Sequence, residues 1–261
     1  MANESASIPL QYFIDKWKRY VIIIIRNSVE KRNRIVMTQR LIYLTGECKQ
    51  RPIVYAIHGE QGDLLIDTGN NTMVHQLDDW IKKNHLNVRW VFLTHGHFDH
   101  TWNCRFLKQK YGAEIILHER DRGLLAFGEI RLVYATKYCY KKITEKCNSI
   151  NAQYNPCSPF CKVDHYISNE DTGFLRSLGF DADIVMLPGH TKGSMGILQG
   201  KVLYCGDACS AKNGQYFTAM FGEERESIFR SENRIFELDP IIIAPGHGKI
   251  IINEKYSGFS R

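Results

Sequence analysis

Four side chains of the kinds that bind metals lie within six consecutive positions, directly after an apolar segment. His95, His97, Asp99 and His100 follow residues 88–93. Imidazole nitrogens and carboxylate oxygens are ligands of zinc and of other first-row metals. In an extended segment alternate side chains point to the same side, so the first two histidines can share one metal while the other two side chains turn toward a second. So dense a group predicts a metal site rather than a set of surface histidines.

Three further candidate ligands are scattered through the second half of the chain. His190, Asp207 and His247 each follow a β-rich, apolar segment, and each stands beside a glycine that permits a tight turn. A single histidine after a strand is more often structural than functional. Together, however, the three side chains complete the ligand count for two metals, so we predict that they join the first four.

The elements that must position these side chains follow from the hydrophobic pattern. Apolar and β-branched runs predict strands at residues 20–25, 35–44, 53–58, 64–66, 88–93, 114–117, 183–187, 201–205 and 241–244. Helical spacing of apolar residues predicts helices at residues 72–84 and 102–111, and residues 10–20 are expected to form a short helix. Strands that alternate with helices favour an α/β fold, in which functional groups gather in loops at the carboxyl ends of strands.

The chain is expected to form a single domain over residues 1–261, with two less regular parts. Residues 1–34 are an N-terminal extension, and residues 121–181 are an insertion that contains four of the eight cysteines. Because the insertion directly precedes the strand that leads to His190, we expect it to form part of the wall of the substrate pocket. His118, at the end of a predicted strand, either lines the same pocket or caps the strand end.

The composition is that of a globular protein, with 44% hydrophobic and 24% charged residues. The longest purely apolar run, residues 21–25, is far shorter than the ~20 residues of a membrane-spanning helix, and the polar N-terminus lacks the pattern of a signal peptide. We therefore expect a soluble, cytoplasmic protein with no membrane partner. The net charge of +6 is spread along the chain, so the basic residues are expected to form solvated faces rather than an anion-binding patch.

Four cysteines of the insertion are close enough in sequence to form a structural metal site. Cys139, Cys147, Cys157 and Cys161 fall within 23 residues, and four thiolates can close a tetrahedral zinc site. Their spacing is irregular, His165 is an alternative ligand, and isolated thiols are the simpler interpretation. A structural metal at these four cysteines is therefore kept as a hypothesis.

The motifs, taken in order, resemble those of the metallo-β-lactamase superfamily. The segments that carry the resemblance are residues 65–69 (LIDTG), 95–100 (HGHFDH), 189–194 (GHTKGS), 206–207 (GD) and 245–248 (PGHG). The resemblance covers about residues 35–252 and is specific for the fold and the metal site, but not for the substrate. It implies a four-layer αββα sandwich with the site at one edge of the sheets.

The resemblance also implies a role for each ligand. It assigns His95, His97 and His190 to a first divalent metal, Asp99, His100 and His247 to a second, and Asp207 to both. The metals are expected to be zinc, with iron or manganese as alternatives, and to activate a water as the nucleophile. Asp67 is expected to orient a ligand histidine from behind, and Asp99 also to accept or relay a proton.

Several branches of the superfamily differ from this chain. β-Lactamases of the superfamily lack an aspartate at the bridging position, so Asp207 argues against antibiotic hydrolysis, and flavodiiron proteins carry a glutamate where this chain has His97. Hydroxyacylglutathione hydrolases are similar in their ligands but add a C-terminal glutathione-binding region, whereas 14 residues follow His247 here. RNA-processing members insert a domain for which the 39 residues between Asp207 and His247 leave no room, so a nucleic-acid substrate is disfavoured.

What remains is a hydrolase that cleaves an ester, thioester or lactone of a small molecule. Acylhomoserine lactonases are similar in size and ligands, but they use a tyrosine shortly after the bridging aspartate, and the first tyrosine after Asp207 here is Tyr216. A mononuclear-iron persulfide dioxygenase shares the ligand pattern and is the first alternative, and a phosphodiesterase is the second. A homodimer is left open.

Overall fold

Two β-sheets form the framework of the chain. The structure, a computed structural model, describes residues 10–15, 20–25, 37–45, 52–169, 173–212 and 215–252. The first sheet is built, in order, from β1 (Leu10–Asp15), β2 (Tyr20–Ile25), β3 (Met37–Thr45), β4 (Ile53–Ile57), β5 (Asp63–Ile66), β6 (Val88–Phe92), β7 (Glu114–His118) and β9 (His165–Ile167). Neighbouring strands are antiparallel from β1 to β5 and parallel from β5 through β6 and β7 to β9.

The second sheet has five strands, and two short ribbons lie outside both sheets. The second sheet is built, in order, from β10 (Asp183–Met186), β11 (Met195–Gln199), β12 (Val202–Gly206), β16 (Ile242–Pro245) and β17 (Ile251–Ile252). In this sheet β12 and β16 are parallel, whereas the other neighbours are antiparallel. The two ribbons pair β13 (Cys209–Lys212) with β14 (Gln215–Thr218) and β8 (Tyr134–Ala135) with β15 (Phe221–Gly222).

Helices cover the outer faces of the sheets and connect successive strands along the chain. They are α1 (Val74–Lys83), α2 (Phe98–Thr101), α3 (Cys104–Tyr111), α4 (Arg122–Phe127), α5 (Lys141–Tyr154), α6 (Phe174–Ser177) and α7 (Arg225–Leu238). Short 3₁₀ helices occupy Glu119–Asp121, Tyr138–Tyr140 and Asn155–Cys157. Within the described ranges, no helix is both long and apolar enough to cross a bilayer.

The alternation of side chains along the strands produces the layers. On β4, Ile53, Tyr55 and Ile57 pack against the second sheet, while Val54 and Ala56 face the other way. The outward residues of the first sheet form one apolar cluster with buried side chains of α1 and α3, and those of the second sheet form another with α7. Both sheets are apolar on both faces, as expected for sheets that are covered on each side. The predicted four-layer αββα sandwich is confirmed.

The helix predicted for residues 10–20 is wrong. Residues Leu10–Asp15 form strand β1, which pairs with β2 from Leu10 opposite Ile25 to Asp15 opposite Tyr20. A short isolated helix is marginal in water, whereas a segment rich in tyrosine, phenylalanine and isoleucine suits a strand that another strand can pair with. Part of the N-terminal extension therefore belongs to the first sheet.

The cysteine-rich segment, residues 121–181, contains regular structure. It includes α4, β8, α5, β9 and α6, and β9 adds a parallel strand beside β7. The helix α5 lies next to the region where the candidate metal ligands meet, as described below.

A hydrogen bond between the sheets gives the first testable prediction. The hydroxyl of Tyr55, which is buried, donates to the carbonyl of Pro245 at 2.7 Å, and its ring meets that of Tyr204 edge-on at 5.3 Å. Tyr55→Phe removes this donor from a carbonyl of the buried strand β16, so it should lower the free energy of unfolding by about 1–2 kcal/mol in urea titrations. Tyr138→Phe, at a residue that is 90% exposed, is the control. Equal stability of the two variants would contradict the role of this bond.

Candidate metal centre

The candidate ligands lie at the carboxyl ends of strands from both sheets. The segment of residues 95–100 follows β6, His190 follows β10, Asp207 follows β12 and His247 follows β16, while the supporting Asp67 follows β5. The strands β5 and β6 are parallel neighbours, and so are β12 and β16. Because parallel neighbours end at the same edge of a sheet, each pair delivers its ligands to one place.

The first ligand segment is partly helical and not fully extended as the sequence suggested. His97 has extended backbone and stands directly before α2, while Asp99 and His100 lie within that helix. The first two side chains come before the helix and the later two lie within it, so the two sets are separated by a change of backbone conformation, although the rings of His95 and His100 remain 4.2 Å apart.

The structure brings all seven predicted ligands together. Their ligand atoms form three overlapping groups, each within 4.8 Å: His95 with His97 and His190; His95 with His100 and Asp207; and Asp99 with His100 and His247. The first and third groups have the membership that the resemblance implies for two separate metals. The second group joins them, because it contains one member of each together with Asp207.

Asp207 occupies the middle of the cluster. One of its carboxylate oxygens lies 3.5 Å from His190 Nε2 and 3.5 Å from His247 Nε2, and the other lies 3.5 Å from His100 Nε2. The carboxylate thus contacts a histidine of the first group and two of the third. This is the position that a bridging ligand requires.

Bound metal ions would satisfy the atoms of this donor set better than hydrogen bonds between its members do. Among the described residues, His95 Nε2, His97 Nε2 and Asp207 Oδ1 are buried without a hydrogen-bond partner. A Cβ at Gly246 would collide with Asp207 and His100, so only glycine lets the His247 loop approach so closely. Buried polar atoms without partners are costly, and nitrogen and carboxylate donors crowded in this way are ligands of first-row divalent ions. The cluster supports divalent metal binding.

Burial keeps the first group of histidines neutral. It lowers the pKa of His97 to about 3, with the neighbouring His190 adding to the effect, and it lowers the pKa of His95 and of His190. A neutral imidazole has a free lone pair, which a metal ligand needs. These rings are therefore ready to bind a cation at neutral pH without first losing a proton.

The carboxylates of the cluster stay ionised despite their burial. Burial alone would raise the pKa of Asp99 and Asp207, but the surrounding histidines, His100 and His247 above all, outweigh it and hold both pKa values below the usual range. Both side chains are therefore anionic donors at neutral pH.

Asp67 contacts one ring nitrogen of His100, and the other ring nitrogen faces the cluster. The carboxylate of Asp67 lies 2.7 Å from His100 Nδ1 and accepts a hydrogen bond from the Thr94 amide at 2.8 Å. Burial would lower the pKa of His100, but Asp67, Asp207 and Asp99 together outweigh it and raise this pKa to about 9. With Nδ1 engaged by Asp67, the Nε2 atom of His100 is the one that faces the cluster, at 3.1 Å from His247 Nε2.

A second supporting carboxylate, Asp121, was missed by sequence reasoning. Asp121 is fully buried and accepts hydrogen bonds from the amide of Gly96 at 2.9 Å, the hydroxyl of Thr191 at 2.6 Å and the amide of Gly193 at 3.0 Å. Gly96 lies between His95 and His97, and Thr191 follows His190. One side chain thus joins the loops that carry the whole first group. Its position just after β7, the next parallel strand beyond β6, was the signal available in the sequence.

Of two other sequence candidates, His118 and Tyr216, the structure describes the side chain of the first. His118 is buried at the end of β7, where its Nδ1 accepts from the Arg120 amide at 3.1 Å, and it does not line the cavity described below. It therefore caps the strand end, which was one of its two interpretations. Tyr216 lies on β14, but its side chain is outside the described part of the chain.

The four cysteines of the proposed structural site are not brought together. Cys139 and Cys157 are exposed, Cys161 is buried in the core, and Cys147 faces the cavity beside the metal ligands. No cysteine belongs to any of the potential metal-binding groups found among the described residues. His165, the alternative ligand, lies 2.6 Å from Glu114 instead. These four thiols lie on separate elements, as their irregular spacing allows. The interpretation of isolated thiols therefore fits them better than a shared metal site.

A cavity of about 350 Å³ opens directly from the cluster. Five of the candidate ligands form part of its lining: His97, Asp99, His190, Asp207 and His247. The helix α5 forms another part through Ile143, Cys147, Ile150 and Asn151. Residues of the 121–181 segment thus do line the cavity, as expected.

The seven donors, the αββα sandwich and the adjoining cavity define a metal-binding enzyme whose centre lies at the edge of two sheets. The chain belongs to the metallo-beta-lactamase superfamily, whose sequence profile matches residues 53–247. With its cluster of histidine and aspartate donors, it is a metal-dependent hydrolase of that superfamily.

The individual relatives share little sequence identity with this chain. The hydroxyacylglutathione hydrolase GloC of Haemophilus influenzae is 26% identical over 72% of this chain and 81% of its own length. The solved structure of the BLEG-1 B3 metallo-beta-lactamase has a TM-score of 0.60 at 20% identity and covers 81% of this chain and 93% of its own. TTHA1623, solved in a di-iron-bound form, also has a TM-score of 0.60 at 20% identity and covers 84% of this chain and 100% of its own. At this identity the structural matches show the fold alone.

The hydrogen bond from Asp67 gives a prediction about metal affinity. Asp67 has a positive φ of 60°, which asparagine tolerates, so Asp67→Asn removes the charge with little backbone strain. Because the carboxylate orients His100 and raises its basicity, the variant should bind metal about 10–100-fold more weakly in competition with a chromophoric chelator. Asp63→Asn, at the other end of the same strand, is the matched control, since Asp63 is also buried but bonds to His58 and Asn87. Equal metal affinities in the two variants would contradict the role of Asp67.

The bonds from Asp121 give a separate prediction. The Gly96 amide and the Gly193 amide bond to different oxygens of Asp121, and Asp121→Asn replaces one of these acceptors by a donor, so one of the two ligand loops loses its bond. We expect metal affinity at the first group to fall about 10-fold or more, measured by the same competition assay. Glu119→Gln, an exposed acidic residue of the same 3₁₀ helix, should leave it unchanged. Wild-type metal affinity in Asp121→Asn would show that the hydrogen bonds of Asp121 do not affect metal binding.

Proposed function

We propose that this protein is a dinuclear zinc hydrolase that cleaves an ester, thioester or lactone of a small molecule. One observation carries the proposal: two groups of ligands, joined by Asp207, meet at a cavity. Divalent metals bound there would lower the pKa of a bound water and polarise the scissile carbonyl. The protein's own residues then have to position the metal ligands, bind the substrate and transfer protons.

Asp99 is the residue that we propose to move a proton. It lines the cavity, and its carboxylate lies 3.3 Å from His247 Nε2. The histidines hold the pKa of Asp99 below the usual range, so it is an anion before the reaction, and its place beside the cavity lets this carboxylate serve as the acceptor of a proton from a water there. The same group can return that proton to the leaving oxygen or sulfur, which has to take up a proton for the products to separate.

Similarity to named relatives supports an acyl-transfer reaction. The relative GloC is named as a hydroxyacylglutathione hydrolase, and hydroxyacylglutathiones are thioesters. Esters and lactones present the same kind of carbonyl carbon to a nucleophile. The aspartate at the bridging position of this chain argues against a lactam substrate, although the superfamily takes its name from lactam hydrolysis.

The test combines metal analysis with a substrate panel. We expect about two equivalents of zinc per chain and hydrolysis of esters, thioesters or lactones in preference to β-lactams and phosphodiesters. In His97→Ala and Asp207→Ala both zinc content and activity should fall. Activity should fall by more than the roughly 10–100-fold that follows the loss of a residue hydrogen-bonded to a metal ligand. The control is His75→Ala, because His75 is an exposed histidine of α1.

Two results would overturn the proposal. One iron per chain with oxygen uptake on a persulfide would identify a dioxygenase. Loss of zinc from Asp207→Ala with full retention of activity would show that the metals do not serve the reaction.

A further inference from the structure

One wall of the cavity is an apolar face of α5. Ile143, Cys147 and Ile150 are spaced by four and three residues, which places them on one side of a helix, and all three line the cavity. Ile143 is 41% exposed and marks the outer end of this face, whereas Cys147 and Ile150 are half-buried. The helix thus presents a continuous hydrocarbon and thiol surface from the solvent toward the metal ligands.

A second apolar wall comes from the segment that leads into β15. Ala219, Met220 and Phe221 line the same cavity. Phe221 also contacts the centre, because its carbonyl accepts a hydrogen bond from His190 Nδ1 at 3.2 Å and its ring lies 5.5 Å from the ring of His190. The segment thus connects the metal ligands with the apolar part of the cavity.

The described residues of these two walls carry no charged side chain into the cavity. Apart from the five candidate metal ligands, the described side chains that line the cavity include the polar groups of Asn151 and Ser210 but neither lysine nor arginine. Beyond the reach of the metals, a buried carboxylate would find no cationic partner among the described lining residues, which is costly, whereas an apolar group gains from leaving water. The cavity volume of about 350 Å³ is at the low end of the ~300–1,000 Å³ of ligand pockets, so the group that it accepts is small.

From these walls we infer that the substrate carries a small, uncharged, apolar group beside the scissile carbonyl, and that this group lies between α5 and Ala219–Phe221. The inference rests on the proposed hydrolase function and specifies its substrate class. An acyl chain and an alcohol chain share this chemistry. Thioesters whose leaving group carries carboxylates, as glutathione does, should be poor substrates by comparison.

The experiment uses the metal-loaded protein and two ester series. One series lengthens the acyl chain of p-nitrophenyl esters from acetate to octanoate, and the other lengthens the alcohol of acetate esters. In one of the two series, kcat/KM should rise about fourfold per methylene until the cavity is full. The hemisuccinate ester, which has four acyl carbons like butyrate but carries a carboxylate, should react at least tenfold more slowly than the butyrate ester.

Variants test whether α5 is the wall involved. Ile150→Trp fills the cavity, so the ratio of kcat/KM for the longer to the acetyl substrate should fall at least tenfold. Ile130→Trp, at an exposed isoleucine of the same segment that does not line the cavity, should keep the wild-type ratio. Ile143→Glu, at the more exposed end of the face, is a second variant in case the tryptophan disturbs folding, and it should lower the ratio as well. Calorimetric binding of hexanamide, which need not be hydrolysed, should weaken in both cavity variants.

The outcomes separate the two proposals. A metal-loaded protein that hydrolyses no ester, thioester or lactone would contradict the proposed function. A protein that hydrolyses esters but shows no gain with chain length in either series, or prefers the hemisuccinate, would overturn the inference alone. Unchanged chain-length ratios in both Ile150→Trp and Ile143→Glu would also overturn it.

Discussion

The contact of one carboxylate, Asp207, with histidines from both sheets is the constraint on which the rest of the structure depends. His100 follows the first sheet, whereas His190 and His247 follow the second, and Asp207 lies 3.5 Å from a nitrogen of each. A shift of the sheets relative to each other by an ångström would separate these atoms. The fold must therefore fix the position of the ligand-bearing edge of one sheet relative to that of the other, in addition to burying its core.

Backbone hydrogen bonds near the ligands supply that register. The amide of Ile53 donates to the carbonyl of Gly246 at 2.8 Å, and the amide of Met195 donates to the carbonyl of Thr94 at 2.9 Å. Both bonds join the first sheet to the second, and each has one end directly beside a ligand, His247 or His95. Main-chain bonds of this kind tolerate little movement, so the ligands are held on rigid elements, as a preorganised site requires. Asp67 and Asp121 extend this support to the side chains and to the loops that carry the ligands.

The sequence was sufficient for the fold and for the grouping of the seven candidate ligands, but not for the residues that support them. Residues 95–100 and the single ligands after later strands were predictable because a metal site needs specific side chains at strand ends, and that need leaves a dense pattern. The position of Asp121 after a strand is only a weak signal, since a lone aspartate there resembles any surface acid until the loops that it joins are seen together. The strand at Leu10–Asp15 was missed because strand pairing with β2, a non-local interaction, outweighs the local spacing that suggested a helix. The cysteines of residues 121–181 were grouped by sequence distance, which says little about distance in space across separate elements.

The central claim is that two metals share Asp207, and anomalous X-ray scattering tests it most directly. Data collected at the absorption edge of the metal, from crystals of the metal-loaded protein, locate each ion without reference to activity. The account predicts two peaks roughly 3.5–4 Å apart, one among His95, His97 and His190 and the other among Asp99, His100 and His247, with Asp207 between them. A single peak, or two peaks of which neither contacts Asp207, would contradict it.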